Sequence, residues 1–93
     1  MIRSFANKET WNLYTTGVSR RVHPDIAKVV ALKLRMLDSA ESLEDLRVPP
    51  ANNLKKLAGD KRSFYSIRVN LQWRIVFLWT EAGPEEVEFI DYH

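Results

Sequence analysis

Hydrophobic and polar positions alternate most clearly from Ser63 to Trp79, where two runs rich in β-branched and aromatic residues flank the short joint Asn70-Leu71-Gln72. That pattern predicts a β-hairpin. Strand parity then places Tyr65, Ile67 and Val69 on one face with Trp73, Ile75, Phe77 and Trp79, which is the predicted core face. The opposite face receives Ser66, Arg68 and Asn70 from one strand and Arg74, Val76 and Leu78 from the other, so two arginines stand outside a rigid sheet.

Upstream the period changes to that of a helix. Pro24 and Asp25 open a segment in which Ile26, Val30, Leu34 and Leu37 recur at helical spacing, flanked by Val29, Leu32 and Met36. Lys28, Lys33 and Arg35 fall on the opposite, solvated side, and His23 reads as a capping or surface residue. A shorter helix lies between Asn7, a good N-cap with Glu9 in the first turn, and Gly17 as its stop; Trp11 and Tyr14 share a face that packs on the core. Ile2 to Ala6 reads as a short strand at the sheet edge. Asp38 to Pro50 reads as a loop with one helical turn, because Pro49-Pro50 continues neither a helix nor a central strand. Ala51 to Arg62 is a basic connector with a turn at Gly59-Asp60, Gly83-Pro84 is a turn, and Val87 to His93 is the last strand. The expected fold is therefore α+β: one domain over residues 1–93, with two N-terminal helices packed on one face of a small twisted antiparallel sheet.

Composition narrows the chemistry. The 93 residues contain no cysteine, which excludes a disulfide framework and thiolate metal chemistry and fits a reducing, cytoplasmic setting. No apolar run is long enough to span a membrane, and the start lacks the build of a signal peptide. The net charge is only +2, but it is segregated. Bases dominate the first helices and the stretch Lys55, Lys56, Lys61, Arg62, Arg68, Arg74; acids fill the middle and the end. Such a distribution gives a positive face suited to a polyanion, with ordinary solvated charge as the plain alternative.

If Val87 and Phe89 face the helices, Tyr92 lies on the side of Arg68 and Arg74, with His93 beside it. This set has cations, a phenol and an imidazole but no carboxylate near Arg74, a poor arrangement for a hard divalent metal; no metal or cofactor is expected. It suits metal-free RNA cleavage, in which a ribose 2′-hydroxyl attacks its own phosphate with the help of a base, an acid and fixed positive charge. Arg74, planar and always charged, is the first candidate for charge stabilisation, against the alternative of a salt-bridging surface arginine.

Met-Ile-x-Ser-Phe at the start, Leu54-x-x-Leu57-x-Gly59-Asp60, Ser66-Ile67-x-Val69-Asn70, Trp73-Arg74-Ile75-x-Phe77 and the closing Asp91-Tyr92-His93 together resemble the HigB-type toxins of bacterial toxin–antitoxin systems, in the RelE/ParE superfamily. The resemblance implies a RelE-like fold and a ribosome-dependent endoribonuclease that cleaves mRNA in the A site. It also implies a small helix-turn-helix antitoxin of the HigA kind, through which alone the complex would meet operator DNA. Carried over by motif, the family's functional arginine falls on Arg74 and its carboxy-terminal tyrosine and histidine on Tyr92 and His93. The family's usual Leu-His-Pro-Leu-Lys-Gly is here Leu54-Lys55-Lys56-Leu57-Ala58-Gly59, so Lys55 stands in the histidine position and Ala58 in that of the lysine. A lysine there is a phosphate clamp rather than a base, and Lys56, Lys61, Arg62 and Arg68 complete the expected RNA-binding set. Two other readings stay open at this point: a ribosome- or RNA-binding inhibitor that does not cut, and a ParE-like gyrase inhibitor.

Overall fold

The computed structural model describes residues 1–59 and 63–92. Helix α1 spans Lys8–Thr16. Its first turn is closed by Asn7, whose Oδ1 accepts from the Thr10 backbone N–H at 2.9 Å and from the Thr10 hydroxyl at 2.7 Å. Gly17 ends it at φ 72°, a left-handed position that glycine adopts without strain. Helix α2 spans Pro24–Ser39, with Pro24 at the first turn and the His23 ring Nδ1 accepting from the Asp25 backbone N–H at 3.1 Å. The capping role expected of His23 is what the geometry shows.

Two short 3-10 turns follow, Leu43–Arg47 and Pro50–Asn52, where the sequence led us to expect one helical turn. Then come four antiparallel strands in the order β1 (Lys55–Lys56), β2 (Phe64–Arg68), β3 (Trp73–Thr80) and β4 (Gly83–Asp91). The hairpin is where alternation put it, with Ile67 opposite Ile75 and Arg68 opposite Arg74. Its joint is built by Asn70, whose Oδ1 accepts from the backbone N–H of Gln72 and of Trp73, both at 2.8 Å.

The core is the single apolar layer between the helices and one face of the sheet. Leu13 of α1, Ala27, Val30, Leu34 and Leu37 of α2, and Ile67, Ile75, Phe77, Val87 and Phe89 of the sheet are closed to solvent, and Leu46 from the first 3-10 turn joins them. Parity sorted these strand residues correctly because a pleated strand has no choice but to alternate.

Several expectations need correction. Lys55 and Lys56 pair with Ser66 and Tyr65, so part of the basic connector is an edge strand, and the sheet has four strands where three were expected after the helices. The first residues lie along β4 but form a single parallel bridge, Phe5 to Val87, carried by the bonds from Ala6 N to Val87 O at 2.9 Å and from Val87 N to Ser4 O at 3.1 Å, with a further bond from Arg3 N to Pro84 O at 2.7 Å. Gly83 and Pro84 already pair with Thr80 and Trp79, so the turn is Glu81-Ala82. Gly83 sits at φ 124°, and a Cβ there would lie 2.3 Å from the Met1 carbonyl oxygen, so only glycine lets the amino-terminal segment pass.

On α1 the buried residues are Thr10 and Leu13, while Trp11 is 48 % exposed. Trp11 lies one residue, about 100°, beyond the buried stripe. Tyr14 is partly buried, its ring 5.5 Å from that of Phe5. Thr10 turns inward because its hydroxyl oxygen accepts from the Phe89 backbone N–H at 3.0 Å. On α2, Val29 and Leu32 are exposed, and Lys33, expected on the solvated side, is buried.

Candidate functional site

The outer face of the sheet holds a cavity of about 210 Å³ lined by Asn53, Lys55, Arg68, Asn70, Leu71, Arg74 and Tyr92. It forms where three pieces of chain meet: the loop leading into β1, the β2–β3 joint, and the residue after β4. Strand register brings the first cations together. Lys55 is opposite Ser66, and Arg68 opposite Arg74, so all of these side chains issue from the same face.

Arg74 is the centre of the site. It is only 5 % exposed, which corrects its expected place on a free outer surface. The Nε–H donates to the Ser66 hydroxyl oxygen at 2.8 Å; Nη2 donates to the Asn53 carbonyl at 2.6 Å and to the Ser66 carbonyl at 3.4 Å. Three bonds on two edges fix the guanidinium plane. Nη1 makes no hydrogen bond among the described residues, so its N–H donors, in the guanidinium plane, remain for an anion. The Tyr92 ring lies 5.5 Å from the guanidinium carbon, a cation–π distance. Burial pulls the Arg74 pKa below that of an ordinary arginine, the Tyr92 oxygen raises it and the neighbouring Arg68 charge lowers it further. The group remains a cation, but one starved of water.

Arg68 is held more lightly, with Nε donating to the Asn70 carbonyl at 3.3 Å. Like charges directly opposite each other on a sheet are unfavourable, and among the described residues no carboxylate lines the cavity to offset them. A pair of arginines with Lys55 beside them is therefore a preformed site for an anion with at least two oxygens. Tyr92 is 42 % exposed, and its backbone N–H donates to the Gln72 carbonyl at 2.7 Å, which ties the end of the chain to the hairpin joint.

Of the residues expected from the sequence, Lys55, Arg68, Arg74 and Tyr92 converge on this cavity. Lys56 does not: it is opposite Tyr65, whose ring stacks 6.4 Å from Phe77 on the other face. Lys61, Arg62 and His93 lie outside the described residues. Reading by residue type missed Asn53, Asn70, Leu71 and the role of Ser66. Ser66 had a signal, since parity set it beside the arginines; Asn53 contributes a backbone carbonyl, which no side-chain pattern reveals.

A larger cleft of about 550 Å³ lies elsewhere, along α1 and the loop after it, lined by residues that include Lys8, Glu9, Arg20 and Arg21. Two of its charges already pair with each other: Arg21 Nη2 donates to Glu9 Oε1 at 2.9 Å, and the Arg21 guanidinium stacks 4.9 Å over Trp73. Size alone does not make it the better candidate.

Comparison with known proteins finds relatives along nearly the whole chain. The family model described as the RelE-like toxin of the type II toxin–antitoxin system HigB matches residues 3–93. The chain is 35 % identical to a Vibrio cholerae serotype O1 protein named Toxin HigB-1, over all of this chain and 98 % of the relative. It is 29 % identical to a Proteus vulgaris protein named Endoribonuclease HigB over the full length of both, and 42 % identical to a Haemophilus influenzae protein over 96 % of this chain and 88 % of the other.

Proposed function

This chain belongs to the HigB-like family of RelE-like toxins of type II toxin–antitoxin systems, and on that premise we propose that it is an endoribonuclease that cuts mRNA held on the ribosome. The observation that carries the reading is Arg74: buried, clamped at Nε and Nη2, and, among the described residues, with Nη1 left over in a cavity lined by two more cations and a phenol but no carboxylate. A phosphodiester fits such a site. In the cleavage, the ribose 2′-oxygen loses its proton and bonds to the adjacent phosphorus, and the bond from phosphorus to the 5′-oxygen breaks as that oxygen gains a proton. Arg74, with Arg68 and Lys55, takes up the charge that grows on the non-bridging oxygens. Tyr92 and His93 are the proton-transfer groups of this reading, and no metal enters the scheme. The products are a 2′,3′-cyclic phosphate and a 5′-hydroxyl.

Membership of a type II system implies an antitoxin partner. Our finer proposal is a HigA-like helix-turn-helix protein that brings the complex to operator DNA, with ribosome and mRNA as the toxin's own targets in the cytoplasm. Lys55 supports one other reading, a protein that occupies the ribosome without cutting, because an ammonium replaces the family's histidine.

The test is primer extension on a defined mRNA, with and without 70S ribosomes, for the wild type, Arg74→Ala and a chain lacking His93. Ribosome-dependent breaks with 5′-hydroxyl ends are expected, falling on the order of a hundredfold, roughly 3 kcal/mol, in Arg74→Ala. Intact mRNA with protein bound to the ribosome would replace cleavage by occlusion.

A further inference from the structure

We propose that Lys33 and Asn52, neither of which lines the cavity, are positioning residues that hold Arg74 in its reactive orientation through the carbonyl of Asn53; this rests on the cleavage reading above.

Lys33 lies on α2 among Val30, Leu34 and Leu37, and it is 8 % exposed. Packing gives no reason for an ammonium there, since a methionine would fill much the same space without desolvation. The burial is felt: it lowers the lysine's pKa from the usual value. Among the described residues Lys33 has no carboxylate partner. Its ammonium donates instead to Oδ1 of Asn52, which is wholly buried. The Asn52 amide in turn donates to the carbonyls of Leu46 at 3.1 Å and Val48 at 3.3 Å. One side chain thus ties the second 3-10 turn to the first, and both to α2.

The next residue is where this matters. Asn53 has φ 46° and ψ 56°, a left-handed conformation natural to glycine and adopted by asparagine more readily than by other residues, with its N–H donating to the Pro50 carbonyl at 3.0 Å. In that conformation its carbonyl meets Arg74 Nη2 at 2.6 Å. The acceptor that aims Arg74 is therefore one residue from an amide fastened to the helix layer. Ser66 holds the guanidinium through its hydroxyl at Nε and, at the longer 3.4 Å, through its carbonyl at Nη2, so the short Asn53 bond is the tighter constraint on Nη2. The line from α2 through Asn52 to Asn53 crosses from the helix layer to the outer edge of the sheet.

The experiment measures single-turnover cleavage of mRNA on programmed ribosomes across toxin concentrations, for the wild type, Lys33→Met, Arg74→Ala and the double variant. It is paired with nitrogen-edited spectra of the Arg74 guanidinium in the isolated protein. Lys33→Met is expected to slow cleavage at saturation on the order of tenfold, since small misplacements of a catalytic group have effects of this size or larger. The half-saturating concentration stays unchanged, the Arg74 Nε–H and Nη resonances shift or broaden, and no further slowing occurs in the Arg74→Ala background. Equal slowing in both backgrounds, or unshifted Arg74 resonances, overturns the proposal. If Lys33→Met does not fold, Asn52→Asp, which keeps the acceptor for Lys33 and removes the donor to Leu46 and Val48, is read in the same way. A wild type that leaves mRNA intact overturns the cleavage reading, and the Arg74 resonances then decide the positioning.

Discussion

On the helix-facing side of the sheet Ile67, Ile75, Phe77, Val87 and Phe89 are closed to solvent against apolar neighbours, whereas on the outer side Arg74 is almost as buried but is surrounded by Ser66, Asn53 and a second arginine. Both faces belong to the same strands. The first gains from excluding water, and any well-fitted hydrocarbon serves it. The second excludes water around a charge, which is unfavourable unless every donor is used or kept for a ligand. Burial is therefore ambiguous by itself; what distinguishes a core from a site is whether the buried group is satisfied by packing or still has a donor to offer.

Substitutions on the two faces should separate accordingly. The largest effect is expected for Phe77→Ala, which should lower unfolding free energy by about 3–5 kcal/mol in urea titrations, with cleavage per folded molecule little changed. Loss of cleavage at full stability would put Phe77 in the site and break the distinction. Next comes Ser66→Ala, which leaves the Arg74 Nε–H without its acceptor; about 1–3 kcal/mol of stability should be lost along with a slower single-turnover rate. A variant that loses stability alone would mean that the orientation of Arg74 does not depend on Ser66.

Arg68→Ala sharpens the contrast between the two arginines. Among the described residues Arg68 makes one long bond and faces a like charge, so removing it should change stability by no more than about 0.5 kcal/mol while weakening cleavage less than Arg74→Ala does. Calorimetry beside the cleavage assay decides it, and a stability loss as large as that of Ser66→Ala would show Arg68 to be part of the scaffold. The smallest effect concerns the loop that supports Asn53. Backbone N–H groups of Glu41 and Ser42 donate to Asp45 Oδ2 at 2.9 and 3.2 Å and hold its carboxyl below the usual carboxylate range. Its folded value lies under its unfolded one, so its contribution is present at neutral pH and is lost as pH falls below about 4. Thermal melts of Asp45→Asn should show a shallower decline across that acid range than the wild type.

The sequence by itself determined the local periods. Alternation from Tyr65 to Trp79 identified the hairpin and its buried face, the helical repeat from Ile26 to Leu37 identified the long helix, and Asn7, Gly17 and Pro24 marked helix ends, because each of these is dictated by backbone geometry within a few residues. The same parity placed Arg68, Arg74 and Tyr92 on one side. Tertiary structure decided the rest. Lys55 became a strand residue only by pairing with Ser66, far along the chain. Lys33 was turned inward because Asn52, nineteen positions later, supplied an acceptor. Trp11 was left half-exposed because Thr10 found the Phe89 backbone instead. Arg74, finally, passed from a surface charge to an anchored one through a carbonyl, and a carbonyl is common to every residue; no composition or spacing marks which one will be turned toward a guanidinium.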